Sequence, residues 1–71
     1  MLPMDDAERA ELRHLLRHGG VVLRDSTDAL LRLAMRGCVV RRSLLDRPGL
    51  LHELTPKGRA LAAARPAADG A

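Results

Sequence analysis

Apolar positions along this chain recur with a helical period near its start and with a period of two further on. Between residues 5 and 18, Leu12, Leu15 and Leu16, with Ala7 or Ala10 nearer the start, form an i, i+3, i+4 stripe that predicts an amphipathic helix. Asp5 stands as an N-cap acid with Glu8 three residues on, a variant of the capping box. Asp5, Asp6 and Glu8 also lie where the helix dipole favours negative charge. Arg17 and His18 occupy the last turn, and Gly19-Gly20 stops the helix.

Val21-Val22-Leu23 is a short apolar, β-branched run, either a short strand or a buried connector; the strand, which could join a later hairpin as its third member, is the preferred reading. A second helix is expected over residues 26–36, capped by Asp25 or Ser26. Leu30, Leu33 and Ala34 line its inner face, and Leu31 and Met35 widen it. Asp28, Arg32 and Arg36 fall at i, i+4 and i+8 and predict a polar ladder with the acid first, the favourable order. Gly37 ends this helix.

From Cys38 the period changes. Residues 38–45 begin apolar and β-branched and turn basic, and Asp46-Arg47-Pro48-Gly49 fits a type II turn. Leu50, His52 and Leu54 then alternate with Leu51 and Glu53, as a half-buried strand should. Thr55 is an N-cap and Pro56 sits at the first helical position of a short Ala-rich helix over 56–64, halted by Arg65-Pro66. The fold class is therefore α+β: helix, short strand, helix, two-stranded hairpin, short C-terminal helix. One domain is expected over 5–65, with a flexible lead-in over 1–4 and a loose tail over 66–71.

Composition limits what such a fold can do. With 71 residues the chain buries roughly 60% of the surface it exposes when unfolded, so its core is thin. It is 46% hydrophobic and has no Phe, Tyr or Trp. A single cysteine, Cys38, suits a reducing compartment. Neither a signal-peptide pattern nor an apolar run near the ~20 residues of a membrane span is visible, so a cytoplasmic protein without membrane partners is expected.

The net charge of +3 is unevenly placed. Residues 1–20 hold three arginines against four acids, whereas residues 21–61 hold eight cations against four acids. Eleven of the twelve cations are arginine, the residue best suited to bidentate contact with phosphate or carboxylate, and this favours an anionic partner.

Chemistry-bearing constellations are sparse. His14 and His18 share one helix face at a spacing compatible with two metal ligands, but no cluster supplies a third. Cys38 follows a helix end, not the helix N-terminus where reactive thiols sit, and reads as a small core residue. There is no Ser-His-Asp pattern and no paired-carboxylate pocket, so no enzymatic activity, metal or cofactor is expected. Binders of single strands and RNA loops stack bases on aromatic rings, and none is present; duplex DNA is the better nucleic-acid target.

A family resemblance covers residues 26–62. Leu30-x-x-Leu33-x-x-x-Gly37-Cys38-Val39-Val40-Arg41, then Asp46-Arg47, then Leu54-Thr55-Pro56-Lys57-Gly58-Arg59-Ala60-Leu61, resembles the C-terminal half of MarR/PadR-type winged-helix regulators. Only two helices precede the hairpin where a full winged helix has three, so the expected fold is an abridged winged helix with 38–55 as its wing. The resemblance implies a small DNA-binding transcriptional regulator whose helix 26–36 enters the major groove. Ser26, Thr27, Arg32 and Arg36 would then face the bases, and Arg47 would probe the minor groove or its phosphates. Arg41, Arg42, Lys57 and Arg59 would hold phosphates, which position without specifying sequence. A homodimer is expected, because the core is small and regulators of this type read two half-sites. The alternative is a winged-helix-like module that binds a protein, as a phage-type inhibitor or adaptor would, without binding DNA.

Overall fold

A computed structural model describes residues 3–64. The expected tail over 66–71 and the first two residues of the lead-in lie outside the described residues. The elements are α1 (Asp6–Arg17), β1 (Val21–Arg24), α2 (Asp28–Met35), β2 (Val39–Ser43), β3 (Leu50–Leu54) and α3 (Pro56–Ala63). This helix–strand–helix–hairpin–helix order is compatible with a winged helix, with one helix where a full winged helix has two between β1 and β2.

Local signals set the element ends. Asp5 caps α1: its carboxylate accepts from Glu8 N–H at 2.8 Å, and the Glu8 carboxylate accepts from Asp5 N–H at 3.4 Å, completing the capping box. Ahead of the cap, Met4 packs against the core, and Pro3 and Met4 accept hydrogen bonds from Arg36 and Arg9, respectively. For α2 the cap is Thr27, in place of the expected Asp25 or Ser26. Its hydroxyl accepts from Leu30 N–H at 3.1 Å and donates to Glu11 at 2.9 Å. That second bond comes from α1, which is why the choice among three adjacent capping residues is tertiary.

The sheet runs in the order β1-β3-β2, both pairs antiparallel, so β1 is the third strand the sequence predicts. At the turn between β2 and β3, Gly49 has φ +84°, as position i+2 of a type II turn requires. A Cβ on Gly49 would also press on the Arg24 backbone at 3.3 Å, so the turn lies against the end of β1.

All three helices pack on one face of the sheet. Leu12 and Leu15 of α1, Leu30 and Leu33 of α2, and Cys38, Val39 and Leu54 around the hairpin form the core, with Val22 and Ala62 at its margin. Fully burying one such Leu is worth about 1.5–3 kcal/mol, so five of them carry most of the apolar driving force. His52 lies among these groups with no solvent exposure. Its row across the inner face reads Val22, His52, Arg41. Neither ring nitrogen has a hydrogen-bond partner of sound geometry among the described residues. Burial lowers its pKa; nearby backbone of Leu50 and Val22 offsets part of this, and the charges of Arg24 and Arg41 reinforce it.

The Leu54–Arg59 junction has a structural task. Thr55 caps α3 by accepting from Gly58 N–H at 3.0 Å, while its hydroxyl donates to the Gly37 carbonyl at 2.6 Å. Its own N–H donates to the Cys38 carbonyl at 3.0 Å. A Cβ at Gly58 would run into that same Cys38 carbonyl, so only glycine lets α3 approach the α2–β2 corner so closely.

Candidate functional site

The nine positions that the resemblance assigns to DNA do not form one surface. Around α2, Thr27 and Arg36 are committed to the fold, and Arg32 is paired but exposed. Thr27 is spent on the cap and on Glu11. The Arg36 guanidinium donates from Nε to Glu8 Oε2 at 2.6 Å and from Nη2 to Glu8 Oε1 at 3.5 Å, and Nη2 also reaches the Pro3 carbonyl at 3.1 Å. The Arg36 side chain keeps only 13% exposure and that of Glu8 3%, so this ion pair is partly buried, with its carboxylate almost fully out of water. Arg32, at 43% exposure, pairs with Asp5 at 3.1 Å and lies 3.5 Å from Glu8.

These contacts replace the ladder expected along α2. Arg32 and Arg36 turn to the carboxylates at the start of α1, and Asp28 has no ion pair among the described residues. Coulomb energy favours this: the i, i+4 pair on an exposed helix face is worth a few tenths of a kcal/mol, whereas a partly desolvated bidentate pair is stronger. Glu8 shows the balance. Burial pushes its pKa up, but the Arg36 hydrogen bond and charge and the Asp5 N–H outweigh it, so the group is held below the ordinary glutamate value. Asp5 is also held low, chiefly by the Glu8 N–H against a smaller opposing desolvation, with the Arg32 charge assisting.

Lys57 and Arg59 stand at the start of α3, the unfavourable end of a helix for cations. Their heads reach elsewhere. Lys57 Nζ donates to the Arg36 carbonyl at 2.8 Å and Arg59 Nη2 to the Gly19 carbonyl at 3.3 Å, so they cap the C-terminal ends of α2 and α1, where positive charge is favoured. Both remain exposed, but each has an intramolecular carbonyl to hold.

The hairpin keeps less committed cations. Arg47 at the turn is exposed and forms no ion pair or side-chain hydrogen bond among the described residues. Arg41 and Arg42, adjacent on β2, point to opposite faces. Arg41 is on the helix side and reaches Ser26 Oγ at 3.4 Å. Arg42 is on the open side, 65% exposed and 3.8 Å from Glu53. Ser26 itself precedes α2 and is exposed.

What α2 shows to solvent is different in kind. Leu31 and Met35, one turn apart, are 41% and 78% exposed, and Asp28 precedes them on that flank. An acid followed by two apolar side chains is poorly matched to phosphates and base edges. Beside it, Ala7, Ala10 and Ala29 floor a shallow groove between α1 and α2, rimmed by Glu11, Arg24, Asp28 and Arg32. The Arg24–Glu11 pair, at 3.1 Å, ties β1 to α1 at its end. No group of three or more metal-ligating side chains occurs among the described residues, and His14 and His18 stack tilted, 4.5 Å apart. No helix among the described residues is long and apolar enough to cross a membrane.

Sequence reasoning missed the partners, Asp5, Glu8 and Glu11. Glu8 was visible as a capping residue, but nothing local signals that the same carboxylate receives an arginine 28 positions away. Comparison with protein-family models, with curated proteins and with solved structures gives no match, so the assignment rests on the fold and on these contacts.

Proposed function

We propose that the chain is a winged-helix-like module that binds a protein partner through the solvent face of α2. One observation carries this reading: at the helix that the resemblance would place in the major groove, Thr27, Arg32 and Arg36 engage carboxylates at the start of α1 and in its middle, and Asp28, Leu31 and Met35 are exposed beside Arg32. An exposed Met beside a Leu supplies an adaptable apolar contact of the kind protein interfaces enrich. The partner this face fits offers an apolar pocket for Met35 and a basic or hydrogen-bond-donating rim for Asp28.

A second reading, a small DNA-binding regulator of MarR/PadR-like type, keeps support from the hairpin, where Arg41, Arg42 and Arg47 are exposed. Because Arg41 and Arg42 face opposite ways, one docked duplex meets about two of the three, with a salt slope near −2 at about −0.9 per phosphate. The two readings separate in one experiment. Tagged chain is titrated with mixed-sequence duplex DNA at several salt concentrations and, in parallel, used to capture proteins from its host. The first reading expects a captured partner that is lost on Met35→Arg or Leu31→Arg, with no steep salt-dependent DNA binding. Tight duplex binding that Arg47→Glu abolishes and Met35→Arg leaves intact would favour the second.

A further inference from the structure

The outer face of the sheet, opposite the helices, carries no described element. Strand register places its side chains in two rows, Val21–Glu53–Val40 and Leu23–Leu51–Arg42. Four of these six are apolar. Val21, Leu23 and Val40 are 41%, 36% and 47% exposed, and Leu51 between them is half-buried. An antiparallel sheet commonly leaves one face to water, and that face is then polar. Here the alternation fails on the open side: both faces of β1 and β3 carry aliphatic residues.

The two charged residues of this face are of opposite sign and diagonal neighbours. Arg42 and Glu53 approach only to 3.8 Å and stay 65% and 49% exposed, so each retains most of its bonding capacity. A patch holding one acid, one base and an apolar field is complementary to itself. A twofold axis passing between Arg42 and Glu53 in the plane of the interface lays Arg42 of one copy over Glu53 of the other, and the reverse, with Leu23, Leu51 and Val40 meeting their counterparts on either side of those pairs. Isologous dimers require this kind of self-complementarity.

We propose that the outer sheet face binds a second copy of this chain, sheet to sheet about a twofold axis, with reciprocal Arg42–Glu53 pairs between copies. The α2 surface lies on the opposite side of the molecule and stays free in such a dimer, so this association goes beyond the partner binding proposed above and is independent of it. Three strands about 4.8 Å apart and two rows about 6.8 Å apart give a projected footprint of about 200 Å². Even at twice that area in accessible surface, each copy buries about half of the ~800 Å² per partner of a standard interface. The dimer is therefore a weak, concentration-dependent one.

Sedimentation velocity from about 5 µM to about 1 mM tests it, with three samples beside the wild type. Arg42→Glu and Glu53→Arg each place like charges across the axis, and each is expected to weaken self-association at least tenfold. An equimolar mixture of the two variants restores opposite charges at both contacts and is expected to associate within about threefold of the wild type. Circular dichroism of both variants serves as the control for folding. A wild type monomeric at 1 mM, a dimer indifferent to either substitution, or a mixture no better than its components overturns the inference. A monomer that still captures a protein through Met35 overturns this inference alone and leaves the proposed function standing.

Discussion

Replacing Arg36 by Met separates a structural arginine from a DNA-reading one. Removing the guanidinium leaves the Glu8 carboxylate, 3% exposed, with the Asp5 N–H at 3.4 Å and Arg32 Nε at 3.5 Å as its remaining donors. Breaking a buried ion pair from one side costs about 3–5 kcal/mol. Arg32 is free enough to move in and the site is near the molecule's edge, which places the expected loss at about 3 kcal/mol. Whole-domain stability at about 0.05–0.15 kcal/mol per residue is about 4–11 kcal/mol for this length. The variant therefore loses a quarter or more of its stability, and Tm falls by about 12–24 °C at about 4–8 °C per kcal/mol. With no aromatic residue in the chain, the assay is urea unfolding followed by circular dichroism. A cycle with Glu8→Gln should show coupling, the double variant losing at least about 1.5 kcal/mol less than the sum of the singles. A loss below about 0.5 kcal/mol with additive singles would show that Arg36 and Glu8 are not coupled.

Other perturbations probe other parts of the account. His52 has a folded-state pKa depressed by burial, so the unfolded chain binds its proton first. Stability should then fall as pH drops below the unfolded value of about 6.5 and level off below the folded value. Urea midpoints of His52→Leu should be flat across that window and higher than wild type at pH 7, because an unsatisfied buried ring has been removed. A second acid loss is expected as pH falls through the depressed folded value of Glu8, its stabilisation being fully present above about 4.5; in Arg36→Met this limb should shrink. Gly58→Ala should destabilise by about 2 kcal/mol or more, as its methyl group meets the Cys38 carbonyl; an unchanged urea midpoint would show that α3 can move away freely.

Elements whose signals are local were legible in the sequence. The α1 capping box and Thr55-Pro56 at α3 each act within four residues and form where expected, and Gly49 takes the positive φ that its turn position predicts, although the hydrogen-bonded turn itself lies at Leu45–Asp46. The third strand was legible because Val21-Val22-Leu23 is a short apolar run, rich in β-branched residues, set between Gly19-Gly20 and Arg24-Asp25. What was not legible is decided by distant groups. Asp25, Ser26 and Thr27 are equivalent as capping residues until Glu11 selects Thr27. Arg32 and Arg36 look like a solvated helix face until the fold brings the first turn of α1 beside them. The candidate site suffered most from this, since a sequence shows an arginine's charge but not the carboxylate that consumes it. Lys57 and Arg59 make the same point: anomalous at the start of their own helix, they are well placed at the ends of two others. The apolar outer face becomes visible only once strand register aligns Val21 with Glu53 and Val40.

The proposed function makes α2 a docking surface for protein in place of a base-reading helix. Amide chemical-shift mapping with a mixed-sequence DNA duplex at low ionic strength tests it most directly. Asp28, Leu31, Arg32 and Met35 are expected to stay unshifted, any weak perturbation being confined to the hairpin around Arg41, Arg42 and Arg47. Saturable shifts concentrated along α2, removed by added salt, would contradict the proposed function.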